Sequence, residues 1–160
     1  MKRRSIIWLM IVSVLIAITY NYNQHEKVNR AKKAFIYEGV NPSQYINCID
    51  FSKKVELYQI RKGQRFIQYQ VEGNPQGNFY GLDGATPSEL GISDIGYNPE
   101  TKTISKKEKR TYVAVTDQIV LATYSAAVVD DWSTPEIETQ TVGNEVQLFS
   151  TCKKCFERIE

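Results

Sequence analysis

Hydrophobic positions along the chain fall into three regimes. From Ser5 to Tyr20 (SIIWLMIVSVLIAITY) sixteen residues run without a charge, proline or glycine. Residues 21–34 (NYNQHEKVNRAKKA) are polar and read as a short helical stalk or linker. Phe35 to Phe51 mixes aromatic and apolar residues around Asn41-Pro42, which predicts a small helical element packed under a sheet. From Val55 onward, runs rich in β-branched and aromatic residues predict strands. These runs are 55–61 and 65–71, joined by Lys62-Gly63-Gln64 as a hairpin, then a short strand at 78–82. Thr86 is placed to cap a helical turn begun by Pro87, with Glu89 three residues after the cap. Residues 93–110 are polar and end in KKEKR, a solvated loop or hairpin. Strands follow at 111–116 and 119–129, a loop at 130–136, and a last hairpin of 137–142 with 145–150 around Gly143-Asn144. The pattern predicts a mostly-β domain with α+β character from its small helices.

The apolar run carries Lys2, Arg3 and Arg4 before it and no acidic residue. As a helix, sixteen residues span roughly 24 Å, against about 30 Å of lipid hydrocarbon. Tyr20 and Tyr22 are placed for the lipid interface, and no small-residue cleavage site follows. The expectation is a signal anchor over residues 1–22, or a signal peptide. A polar stalk would occupy 23–34 and the globular domain 35–160. The basic end would stay in the cytoplasm. The domain would sit outside it at a bacterial inner membrane, or be secreted if the segment is cleaved.

Of the 160 residues, 42% are hydrophobic and 24% charged, which is the composition of a globular domain. Beyond residue 20 the chain carries 17 basic against 18 acidic residues, so it lacks the basic excess of a nucleic-acid binder. Its one histidine, His25, lies outside the expected domain, which argues against histidine triads and histidine-rich metal sites. The three cysteines are Cys48, Cys152 and Cys155. A lone C-x-x-C falls short of a zinc site, and no βαβ setting suits a thioredoxin-type motif. In an oxidising compartment the expectation is one structural disulfide from Cys48 to Cys152 or Cys155, tying the start of the domain to its end. G-x-S-x-G, Walker, H-E-x-x-H and Rossmann glycine patterns are absent. Asp130 and Asp131 are adjacent and shape a turn rather than form an acid–base pair.

The order of several short motifs carries a resemblance. It runs from Gly63-Gln-Arg65-Phe-Ile-Gln-Tyr69 through Gly77-Asn-Phe-Tyr80 to Ala85-Thr-Pro-Ser-Glu-Leu90. Arg110-Thr-Tyr-Val, Ala126-Ala-Val-Val-Asp-Asp-Trp132 and Thr141-Val-Gly-Asn-Glu-Val-Gln147-Leu-Phe149 follow. Over residues 55–150 this order resembles the C-terminal toxin domains of bacterial polymorphic toxins. In particular it is similar to the tuberculosis necrotizing toxin family of NAD glycohydrolases. The resemblance implies a compact mixed or antiparallel two-sheet domain of the ADP-ribosyltransferase type. It implies NAD as substrate without a metal, and an immunity protein as partner.

Cleaving a nicotinamide–ribose bond passes through an oxocarbenium-like state. The side-chain amide of Gln147 is suited to a ribose hydroxyl or a water, and Arg65 and Arg110 to the pyrophosphate. Tyr69, Phe79, Tyr80 and Trp132 are suited to stacking on the rings. The order Glu145-Val-Gln147 reverses the Gln-x-Glu arrangement common in transferases and leans towards hydrolysis. The alternatives are an ADP-ribosyltransferase of a protein target, and an inactive membrane-anchored binding domain on the same fold.

Overall fold

The computed structural model describes residues 2–98, 100–127, 129–130, 137–138 and 142–160. Helix α1 spans Lys2–Tyr37, a stretch free of proline and glycine. It stops where Gly39 takes φ +75°. The Val40 amide then bonds the Phe35 carbonyl at 3.0 Å and the Gly39 amide that of Ile36 at 3.0 Å. This paired closure needs a left-handed residue, which glycine adopts without strain.

Two single 3-10 turns follow, at Pro42–Gln44 and Ile46–Cys48. The strands are β1 Glu56–Ile60, β2 Arg65–Gln70, β3 Phe79–Leu82, β4 Ile95–Asn98, β5 Thr103–Lys106 and β6 Glu108–Ala114. After them come β7 Gln118–Thr123, β8 Val129–Asp130, β9 Ile137–Glu138, β10 Gln147–Phe149 and β11 Phe156–Arg158. Seven strands form one antiparallel sheet in the order β1-β7-β10-β3-β2-β6-β11, beside the two-stranded pairs β4–β5 and β8–β9. The mostly-β class with antiparallel sheets and a helix in front is as the sequence predicts.

Pairing departs from expectation in two places. The run 55–61 does not form a hairpin with 65–71, because β1 pairs with β7 while β2 pairs with β3 and β6. Gly63 supplies the turn at φ +87°, but its amide bonds the Ala114 carbonyl, so the link crosses to another strand. Likewise β10 lies between β7 and β3, while β9 pairs with β8. Residues 139–141 of the predicted last hairpin lie outside the described residues.

Alternation along the strands sorts two cores. One face carries Ile60, Phe66, Tyr80, Tyr112, Val120, Leu148 and Phe156, and the sheet's last strand brings the Phe156 ring onto Tyr80 at 4.1 Å. The other face carries Leu121 and Phe149, covered by Ala31 and Phe35 of α1. Phe35 is fully buried and meets Phe149 edge-on at 4.8 Å, a contact of the kind that adds roughly 0.5–1.5 kcal/mol to area burial. Lys27 and Arg30 of the same helix donate to the carbonyls of Phe51 (3.0 Å) and Val55 (2.8 Å).

This docking corrects the membrane expectation. The apolar run and the polar stretch after it are one helix, and the polar half packs on the sheet. Among the described residues no helix is long and apolar enough to cross a membrane. Placement at a bacterial inner membrane is therefore withdrawn.

The disulfide expectation is corrected too, since Cys152 bonds Cys155 across a Cα separation of 5.3 Å. Cys155 packs on the Tyr80 side of the sheet, whereas the Cys48 carbonyl accepts from Ala126 and Gln147 on the other. The sheet stands between them.

Candidate functional site

Pairing in the sheet aligns one row of residues across five strands. Thr123 of β7 is opposite Gln147 of β10, which is opposite Gly81 of β3. Gly81 in turn faces Ile67 of β2, and Ile67 faces Thr111 of β6. All lie on the face that α1 covers further along. At Gly81 the missing side chain leaves a slot that Leu90 fills, since a Cβ there would lie 2.7 Å from Leu90 Cδ1. Leu90 closes one side of the row and the 3-10 turn ending at Cys48 closes the other. Between them sits the Gln147 amide.

That amide is 6% exposed. Its nitrogen donates to the Cys48 carbonyl at 3.4 Å and to Thr123 Oγ1 at 3.3 Å. Both bonds are long against the usual value of about 2.9 Å, so each is weak and open to exchange for a better acceptor. A buried amide held by weak bonds is poised to take a polar ligand.

The backbone around it is tightly knit. Ile49 bridges Ser125, and the amides of Asp50 and Ala126 bond the carbonyls of Tyr124 and Cys48. The Gly143 amide bonds the Ser125 carbonyl at 2.8 Å. The amides of Asn144 and Glu145 share the Glu89 carbonyl at 2.7 and 2.8 Å. Glu89 belongs to the cap predicted from sequence: its carboxylate accepts from the Thr86 amide (2.8 Å) and hydroxyl (2.7 Å). Those bonds hold its carboxyl below the ordinary range. Lys53 ties down the turn before β10. Its ammonium donates to the Gly143 carbonyl and to Asn144 Oδ1 (3.0 Å), and lies 5.1 Å from the centre of the Tyr124 ring.

The other residues expected at the site do not converge on Gln147. Arg110 is buried on the opposite face, its guanidinium spent on the carbonyls of Asn74 (2.8 Å) and Val71 (3.0 Å). Arg65 is exposed at the start of β2, on the Gln147 side of the sheet but with β3 between them. Tyr80 is fully buried on the Arg110 side, its hydroxyl accepting from Gln76 at 2.7 Å. Phe79 is half-buried against Phe149 and Tyr45. Tyr69 donates to the Ala85 carbonyl at 2.9 Å beside Ile67. Trp132 lies outside the described residues. Sequence reading missed Thr123 as a partner of Gln147. Thr123 had a signal, as a polar residue inside an apolar strand. Among the described residues no group of three or more His, Cys, Asp or Glu is placed to hold a metal ion.

On the opposite face Lys153 donates to the Gly77 carbonyl and to Asn78 Oδ1 (2.5 Å), 5.9 Å from the Tyr80 ring centre. Burial pushes its pKa down to about 8 from 10.5. The folded chain thus holds this proton less tightly than the unfolded one, and stability from this group rises as pH climbs from 8 towards 10. The midpoint of urea unfolding should gain more between pH 8 and 10 in the parent than in Lys153→Met. Equal gains would remove Lys153 as the source.

The comparisons with known proteins agree with this architecture. Against the NAD(P)(+) glycohydrolase toxin Tse6 of Pseudomonas aeruginosa the chain is 32% identical over 143 residues. Those residues make up 87% of this chain but 33% of Tse6, so the chain spans about a third of that relative's length. The structure of Tse6 in complex with Tsi6 superposes with a TM-score of 0.72 at 31% identity, covering 86% of this chain and 97% of that one. The profile of the bacterial toxin 46 family (Ntox46) matches residues 14–156, from the middle of α1 to the start of β11, and the chain belongs to that family.

Proposed function

We propose that this chain is a toxin domain that hydrolyses the nicotinamide–ribose bond of NAD(P)+, with the Gln147 row as its site. The observation that carries the reading is the buried, weakly bonded Gln147 amide, set in a fold that aligns with nearly all of the Tse6 chain solved with Tsi6. In the proposed reaction a water oxygen bonds C1′ of the nicotinamide ribose as the C1′–N bond breaks. Nicotinamide leaves with the bonding electron pair, neutralising its ring charge, and the water gives up a proton. Gln147 orients the ribose hydroxyl or the water. The sheet is read as of the ADP-ribosyltransferase type. Hydrolysis is favoured over transfer to a protein because Glu145, two residues before Gln147, is exposed and engaged through its backbone amide with Glu89. The likeness to Tse6, which is seen bound to Tsi6, also supports a cognate immunity protein as partner.

Incubating the full chain with NAD+ and with NADP+ tests the reading. Nicotinamide and the matching ADP-ribose product should appear in equal amounts without an added protein acceptor. Intact dinucleotide after prolonged incubation with folded protein would end it.

A further inference from the structure

We propose that Cys152 and Cys155 are a redox-exchangeable pair, opened by a dithiol reductant, whose state is felt at Gln147 through Lys153, Asn78 and Tyr45. The bearing of this pair on turnover rests on the NAD reading above. The disulfide closes a loop with a sequence separation of only 3. So short a loop removes little freedom from the unfolded chain, so the bond is suited to local control more than to global stability. It sits in the crossing that leaves β10 after Phe149 and enters β11 at Phe156, strands that β3, β2 and β6 separate in the sheet. Both cysteines are half-buried, within reach of a small thiol. Lys153 and Lys154 lie between them, and a nearby positive charge eases the departure of a thiolate. In the exchange a thiolate of the reductant bonds one sulfur of the pair as the Cys152–Cys155 bond breaks. The second thiolate of the reductant then displaces the mixed disulfide. Two electrons and two protons pass to the cysteines, and the reductant leaves as a disulfide.

What the bond holds in place is Lys153. That residue begins the single 3-10 turn inside the loop, and one such turn has little hold of its own. Its ammonium donates to the Gly77 carbonyl and to Asn78 Oδ1 at 2.5 Å. Asn78 stands just before β3, and its amide reaches both ways, since its nitrogen donates to the Tyr45 hydroxyl at 2.9 Å. The Tyr45 ring packs edge-on against Phe149 (4.9 Å) and Phe79 (6.0 Å), on the face that carries Gln147. The Tyr45 carbonyl accepts from the Cys48 amide at 3.0 Å. That bond closes the turn whose last carbonyl accepts from Gln147 at 3.4 Å. Every step from Cys152 to Gln147 is thus a covalent neighbour or a hydrogen bond. The last of them is long and weak, so a small shift of the Cys48 carbonyl makes or breaks it. Opening the loop frees Lys153 from its seat, and Asn78 and the Tyr45 turn lose that anchor.

The test uses the full chain, oxidised and after dithiothreitol, beside the double variant Cys152→Ser/Cys155→Ser and Tyr45→Phe. Iodoacetamide labelling read by mass should show two more modified cysteines after reduction. Amide NMR then follows the Gln147 side chain, its signal identified by loss in Gln147→Ala. That signal should move on reduction of the parent and sit at the reduced position in the double variant, with or without dithiothreitol. In Tyr45→Phe it should stay put on reduction while the Asn78 signals still move. With NAD+ as substrate, reduction should lower kcat/KM roughly 3- to 10-fold in the parent and leave it unchanged in Tyr45→Phe. A pair that dithiothreitol does not open would overturn the exchange. A Gln147 signal unmoved by full reduction, or moved equally in Tyr45→Phe, would overturn the coupling. Collapse of the whole spectrum on reduction would do the same, marking a structural disulfide only. NAD+ hydrolysis at one rate in both redox states would overturn the pair as a control of the reaction. A Gln147 signal that moves as expected in a folded chain that leaves NAD+ intact would end the hydrolase reading and keep the coupling.

Discussion

On the proposed reading, Gln147→Ala should lower NAD+ turnover by about 100-fold, the effect of deleting one preorganised polar group at a reacting centre. The argument starts from burial. The amide is 6% exposed, and its two donors reach acceptors at 3.3 and 3.4 Å. A side chain kept there for stability alone would be expected to bond more tightly or be apolar. Truncation leaves the Cys48 carbonyl and Thr123 hydroxyl without that partner, so some stability goes with it, about 1–3 kcal/mol. Turnover and melting temperature must therefore be read together at a temperature where the variant is folded. Gln147→Glu sharpens the comparison, because a carboxylate facing the Cys48 carbonyl repels it and must bind a proton to fit. Its stability should fall as pH rises through the carboxyl range, a dependence the alanine variant lacks. A folded Gln147→Ala that releases nicotinamide at the parent rate would remove Gln147 from the site.

The second large effect is on the fold itself. Gly91 has φ +68°, and a Cβ built there would lie 2.5 Å from the Gly143 nitrogen, 2.9 Å from its Cα and 3.1 Å from Ser125 Cβ. Two of those neighbours are backbone atoms that Ser125 and Glu89 hold by hydrogen bonds on either side of the turn. Gly91→Ala therefore costs about 1–2 kcal/mol for the left-handed backbone and about 1–3 kcal/mol more for the clash. Together these lower the melting temperature by roughly 10 °C in a domain of this size. Gly84 is the internal control: it has φ +92° but nothing within 4 Å of a built Cβ, so Gly84→Ala carries only the first cost. If the two alanine variants melt together, the crossing of the 85–91 and 143–145 segments is not what holds the turn before Gln147.

Local signals in the chain were legible where a residue's own chemistry decides the outcome. Thr86, Pro87 and Glu89 announce a cap, and the Thr86–Glu89 bonds form as the spacing predicts. The short strand after Asn78 and the packing of Phe35 under a sheet follow from apolar pattern alone. β11 at the end of the chain was missed, and the polar stretch 93–110, left open as a solvated loop or hairpin, holds the β4–β5 pair. In β4 the exposed residue is Ile95 and the buried ones are Gly96 and Asn98, and in β11 only Phe156 is buried, so neither strand shows the apolar-in, polar-out alternation that marks a half-buried strand.

The sequence by itself determined the mostly-β class, the helical front, the capped turn and the toxin-family resemblance, because these rest on local propensity and motif order. Only the tertiary structure decided which strands pair, and with that what the site contains. Gly63 makes the turn expected of it, yet β1 and β2 never meet, since a turn sets the direction of the chain and not its partner. Sheet order placed Arg110 on the far face and kept Cys48 from the other two cysteines. It also brought Lys53 to a turn some 90 positions further along the chain. A residue's type says what bonds it can make, but the partner it finds depends on long-range strand order, which no short window of sequence encodes.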